Sequence, residues 1–166
     1  MLIDAFEILR RTHPDLYLVL GGKKDALYDM HEARVKKLGL SDYVVFTGFV
    51  SEPQLKWLYQ NCQVYAFPSL SEGFGLPALE AMMHRAPVAA SEATCLPEIY
   101  GDAAQYFNPL DAYDMARTIG ELLTNKRLRT QMIIAGHKKA EEYSWARMAE
   151  QTLQLYNQVL GAKNNK

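Results

Sequence analysis

The sequence predicts an α/β fold in which a parallel sheet is wound with helices. Short apolar runs alternate with longer stretches of helical period, the runs are apolar almost throughout as in strands buried on both faces, and the helical stretches have recognisable ends. With 166 residues, 49% hydrophobic and 22% charged, the chain suits one domain with its own core.

Met1 to Arg11 has helical spacing, with Leu2, Ala5, Phe6 and Leu9 on one face. A wound sheet normally enters such a helix from a strand, so a strand preceding Met1 is expected to be missing. Five strands follow: Leu16 to Leu20, Tyr43 to Phe46, Gln63 to Phe67, Pro87 to Ala90 and Ala104 to Phe107. Between them, Asp25 can cap a helix that runs to Gly39, and Ser51 with Gln54 makes a capping-box pair ahead of Leu55, Trp57 and Leu58. Asp111 caps a helix through Leu123, and from about Lys126 two helical stretches, broken near Tyr143-Ser144, finish the chain.

Composition excludes several classes of function. A net charge of -1 gives no electrostatic reason for a nucleic-acid or anionic-membrane partner. No run approaches a transmembrane span and no signal-peptide pattern opens the chain. Cys62 and Cys95 lack metal-ligand spacing, Cys62 reads as a buried inert thiol, and a reducing cytoplasm fits. His13, His31, His84 and His137 form no cluster, so no metal site is expected.

The informative stretch is Phe67 to Met82. A strand ends near Phe67, a loop of small residues follows, and Pro77 suits a first helical turn because its missing N–H has no partner there anyway. Gly73 and Gly75 place N–H groups at the helix N-terminus with no Cβ in the way, where an anionic diphosphate could rest. A glycine turn serving only positive φ is the plain alternative. The flanking carboxylates weigh against it: beside a phosphate, Glu72 and Glu80 are unhelpful unless they accept hydrogen bonds from hydroxyls, which a sugar ring supplies. Singly, Glu80 could be a solvated residue near the positive end of the helix dipole. A hydrolytic pair fits poorly, because eight helical residues rise about 12 Å, beyond the roughly 5 to 9.5 Å of glycosidase carboxylates.

Glu72-Gly73-Phe74-Gly75-Leu76-Pro77 with Leu79-Glu80-Ala81-Met82 resembles the Glu, seven residues, Glu signature of GT-B-fold retaining glycosyltransferases of the family-4 type. Phe46 to Val50, Pro68-Ser69, Pro87-Val88 with Ser91, Leu96-Pro97-Glu98, Gly101-Asp102-Ala103 and Ser144-Trp145 match in order. The resemblance implies the Rossmann-like, C-terminal half of a GT-B fold, which binds a nucleoside-diphosphate sugar and closes against an N-terminal acceptor domain absent from this chain. It implies sugar transfer with retention of configuration, in the cytoplasm and without a bound metal, to an acceptor glycan or lipid. It assigns Glu72, the candidate catalytic residue, to donor-sugar hydroxyls and Glu80 to ribose hydroxyls. Gly73, Phe74, Gly75 and Leu76 would face sugar and diphosphate, and Gly48-Phe49 the base. The absent first strand belongs between Leu16 to Leu20 and Gln63 to Phe67.

The chain also departs from that pattern. The Arg and Lys that usually follow the first strand are absent, Lys23 and Lys24 do not replace them, Met83-His84-Arg85-Ala86 stands where small residues and a glycine are usual, and Glu92 replaces an Asn. Sugar-nucleotide epimerases with a related two-domain fold are one rival reading, against which the signature around Glu72 argues, and two others remain. Gly73 to Ala78 formally fits a dinucleotide fingerprint with Glu92 as its ribose acid, and an α/β fold can also serve as an interaction module without activity.

Overall fold

The computed structural model describes residues 1–24 and 26–163, with side chains through residue 161. Its elements are α1 (Leu2–Arg10), β1 (Leu18–Gly21), α2 (Tyr28–Lys37), β2 (Val44–Gly48), α3 (Glu52–Asn61), β3 (Tyr65–Phe67), α4 (Leu76–Met83) and β4 (Val88–Ser91). There follow α5 (Leu96–Tyr100), a 3-10 turn (Gly101–Ala103), β5 (Gln105–Phe107), α6 (Ala112–Thr124), α7 (Lys126–Glu141) and α8 (Trp145–Lys163). Every expected strand forms, and every pairing is parallel.

The local signals act as expected where they can be seen. Gln54 Oε1 accepts from the Ser51 N–H at 2.9 Å and from its hydroxyl at 2.8 Å, holding the start of α3. Asp111 Oδ1 accepts from the N–H groups of Tyr113 and Asp114 and so caps α6. Asp25, the expected cap of the second helix, lies outside the described residues; that helix begins at Tyr28 and ends ahead of Gly39, whose φ is 68°. The short α5 is an addition to the expected elements.

The strands form two sheets, β1-β2 and β3-β4-β5, and among the described residues β1 and β3 are not paired with each other. β4, the middle strand of the larger sheet, is buried throughout. Its side chains alternate between two layers: Val88 and Ala90 face the cluster of Leu79, Met82, Leu96 and Tyr100, whereas Ala89 faces that of Leu9, Phe107, Met115 and Leu122. Burial on both faces explains the continuous apolar run. The smaller sheet instead alternates. Leu18, Leu20, Val44 and Phe46 pack with Ile3, Phe6, Val35 and Leu40, while Val19 and Val45 stay exposed on the other face. Helix α1 joins the two halves, giving Ile3 and Phe6 to the smaller sheet's core and Ala5 and Leu9 to the larger's. Helix α8 keeps Trp145, Met148, Leu153, Tyr156 and Leu160 exposed. No helix among the described residues is long and apolar enough to cross a membrane.

Candidate functional site

The loop from Pro68 to Gly75 leaves the C-terminal end of β3 and runs into α4. Gly75 is the N-cap of that helix, left-handed at φ 85° and ψ 42°, and it is buried. A Cβ on it would lie 2.6 Å from Leu96 Cδ2 and closer still to Tyr100 Oη. Only glycine fits. Gly73 is different: its φ is not left-handed and an added Cβ would meet nothing within 4 Å. Positive φ therefore accounts for Gly75 alone, and nothing in the protein itself demands a glycine at position 73.

Among the described residues, the N–H groups of Gly73, Phe74, Gly75 and Leu76 have no hydrogen-bond acceptor. Four successive donors thus lie at the positive end of a helix, and Pro77 behind them has no N–H to add. The Phe74 ring is engaged elsewhere, edge-on to Tyr143 with centroids 5.4 Å apart, so its backbone remains the part open to a ligand.

Glu72 is half-buried in the loop, and Glu80 is exposed in the second turn of α4. The two carboxylates have separate surroundings. Burial, with the negative charge of Glu72 adding to it, holds the Tyr100 phenol well above its ordinary pKa, so it stays protonated and donates to Gly75 O at 2.6 Å. The charge of Glu80 acts on the other side, where burial and that charge raise Tyr59, and burial with the Tyr59 phenol raises Tyr65 further. Tyr59 and Tyr65 stack edge to face at 5.2 Å beneath the start of this surface.

Gly48 and Phe49 stand at the C-terminal end of β2, in the other sheet. Gly48 is left-handed at φ 67°, and the Phe49 ring is 71% exposed with Lys23 Nζ 5.7 Å from its centroid. No hydrogen bond among the described residues joins this loop to the one carrying Glu72. Lys23 and Lys24 are exposed as expected, the latter over the Tyr28 ring. The Cys62 thiol is pushed up to about 11 by burial and donates to Tyr59 O, which suits an inert thiol, although the residue is only partly buried.

The dinucleotide reading loses its geometry. β3 ends at Phe67, so Pro68 to Glu72 separate strand from glycines, whereas that fingerprint needs the turn directly after its strand. Sequence reasoning missed the segment behind the loop, where Thr94, Cys95 and Tyr100 hydrogen-bond to the backbone of Glu72 and Gly75. It also missed a cleft of about 590 Å³ beside Phe74, lined by Leu76, Tyr143, Trp145, Arg147 and Met148. Contacts more than twenty residues apart leave no periodic trace in a sequence.

Residues 1–139 match the family described as glycosyl transferases group 1. The serotype-specific mannosyltransferase WbdA of Escherichia coli is 37% identical over 123 residues, 74% of this chain and 15% of that protein. Sucrose-phosphate synthase from Thermosynechococcus elongatus superposes with a TM-score of 0.84 at 27% identity, over 97% of this chain and 43% of its own. HepE of Anabaena, solved in complex with UDP-glucose, superposes with a TM-score of 0.82 at 22% identity, over 95% of this chain and 44% of its own. The chain therefore spans less than half the length of each of these proteins.

Proposed function

The chain belongs to the group 1 glycosyl transferases, and from that premise we propose that it is the donor-binding half of a hexosyltransferase that moves a sugar from a nucleoside diphosphate to an acceptor with retention of configuration. The four unpaired N–H groups from Gly73 to Leu76 carry this reading. They form an anion cradle beside a glycine with no other reason to lack a Cβ, and the helix dipole reinforces it. Amides aimed at a leaving diphosphate stabilise the charge that develops on it, which is how transfer proceeds here without a resident metal. Glu72, in the loop, contacts the donor sugar, Glu80 takes the ribose hydroxyls, and exposed Phe49 with Gly48 borders the base. The UDP-glucose complex of HepE and the mannosyltransferase WbdA favour a sugar nucleotide as the ligand class.

An N-terminal acceptor domain completes the enzyme in this proposal, and a strand preceding Met1 fills the gap between β1 and β3. Two observations favour that arrangement: among the described residues β1 and β3 each pair on one side only, and α8 with the cleft at its root exposes apolar side chains that a second domain would cover. Extending residues 1–166 upstream by one strand should raise the thermal midpoint, because buried backbone groups left unpaired cost about 1–3 kcal/mol each. Equal midpoints with and without the extension refute the added strand.

The roles of the two carboxylates separate by titration. Losing hydrogen bonds to a charged partner costs about 1.5–3 kcal/mol, or about tenfold to a hundredfold in affinity. In the full-length protein, Glu80→Ala should weaken a free nucleoside diphosphate and its sugar nucleotide alike, whereas Glu72→Ala should weaken only the sugar nucleotide. Isothermal titration with UDP and UDP-glucose, and with GDP and GDP-mannose, gives the comparison. Equal loss for both ligands in Glu72→Ala, or no loss in Glu80→Ala, means that the roles are wrong.

A further inference from the structure

We propose that Thr94 and Cys95 form a clasp that sets the direction of the Glu72 carboxylate, and that Thr94 is a positioning residue for the donor sugar; this rests on the donor-site reading above. Three observations carry the inference. The Glu72 N–H donates to Thr94 Oγ1 at 3.2 Å, and the thiol of the next residue, Cys95, donates to Glu72 O at 3.3 Å. Both backbone groups of one loop residue are thus held by two neighbouring side chains that follow it by more than twenty positions. Thr94 itself is left-handed, at φ 53°. That conformation disfavours a β-branched residue most of all, and glycine or asparagine would adopt it with little strain.

A strained residue persists where the surrounding structure or the function requires its side chain. Here the Thr94 hydroxyl provides what glycine cannot, an acceptor for the Glu72 N–H. Thr94 is exposed and the bond is open to solvent, so water can replace it in the folded protein at little cost to stability. Water cannot replace its second effect. A loop fixed before the ligand arrives does not have to be ordered on binding, and that difference appears in affinity rather than in stability.

The clasp acts on Glu72 rather than on the amides beyond it, because the loop has a separate anchor further on. The Tyr100 hydroxyl donates to Gly75 O at 2.6 Å from a fully buried ring, fixing the end of the amide row whatever happens at position 94. The two anchors therefore divide the loop between the two parts of the ligand. Thr94 and Cys95 serve the sugar-facing carboxylate, and Tyr100 serves the diphosphate-facing amides.

Thr94→Gly tests this, because it removes the hydroxyl and the left-handed strain together. In the full-length protein its thermal midpoint should equal or exceed the wild type's. Its affinity for the sugar nucleotide should nevertheless fall about three- to tenfold, the range for one lost hydrogen bond, with the free nucleoside diphosphate changed less than about twofold. UDP with UDP-glucose and GDP with GDP-mannose are the probes. Thr94→Ser, which keeps the hydroxyl, should restore sugar-nucleotide affinity, and Cys95→Ala, which removes the other arm, should show the same selective loss. Without ligand, amide hydrogen exchange at Glu72, whose N–H loses its acceptor, should quicken in Thr94→Gly while α6 and α7 are unchanged. If the wild type binds a probe pair and Thr94→Gly leaves both affinities and the exchange at Glu72 unaltered, or weakens both ligands equally, the clasp is refuted and the donor site stands. A wild type that binds none of the four probes overturns both.

Discussion

Gly48 and Gly75 take the same left-handed turn in opposite surroundings, and the contrast separates two reasons for a glycine. Gly48 has φ 67° with open space where a Cβ would go, so backbone conformation alone selects it. Gly75 has φ 85° and is closed in by Leu96 and Tyr100, so conformation and close packing select it together. The loops differ in the same way. The one after β2 opens on an exposed phenylalanine, whereas the one after β3 is fixed from behind at Glu72 and Gly75. A ligand held between them would meet one adjustable wall and one fixed wall.

Alanine at each position makes the contrast measurable. Gly75→Ala must adopt a left-handed alanine and push a buried tyrosine and leucine aside, which should cost about 3–5 kcal/mol and remove donor binding. Gly48→Ala meets no atoms and should cost only the left-handed penalty of about 1–2 kcal/mol. Urea unfolding of both variants checks the difference. Adding Tyr100→Phe to Gly75→Ala removes the closest obstructing atom and should recover part of the loss. Equal costs at positions 48 and 75 would show that packing behind the loop contributes nothing.

The fold was legible wherever its signals are local. The alternation of continuous apolar runs with helical periods located every strand to within two residues, and Ser51-Gln54 and Asp111 marked helix starts that the structure confirms. The division into two sheets was legible only as an expected gap between β1 and β3. Helix α5 escaped because its five residues make too short a period to read. At the candidate site, the glycines and carboxylates stood out as residue types, but the reason for Gly75 lies in Tyr100, twenty-five positions away. The four unpaired N–H groups were inferable from a helix start preceded by glycines, whereas the clasp at Thr94 and Cys95 was not.

Arg85 supplies the smallest effect. Placed at the end of α4, it could serve as a cation favoured by the negative pole of the helix dipole. In the structure it is the left-handed residue that ends the helix, at φ 65°, with Arg85 N–H bonded to Met82 O at 3.0 Å and Ala86 N–H to Ala81 O at 2.9 Å. Glycine usually occupies that position. The side chain is exposed, and no ion pair or hydrogen bond of it occurs among the described residues, so the backbone conformation is what a substitution there changes most. Arg85→Gly relieves a left-handed penalty of about 1–2 kcal/mol and gives back about 0.4–1 kcal/mol through the looser unfolded chain, a net gain of about 0.8 kcal/mol. In a chain of this size that raises the thermal midpoint by about 2–3 °C. Arg85→Ala keeps the strain and should gain nothing. A dipole role makes the opposite prediction: both variants lose stability, and the loss shrinks as salt screens the charge. Thermal unfolding of the three proteins at low and high salt separates the two accounts. A gain confined to Arg85→Gly and insensitive to salt assigns position 85 to the same left-handed class as Gly48, where conformation acts without packing.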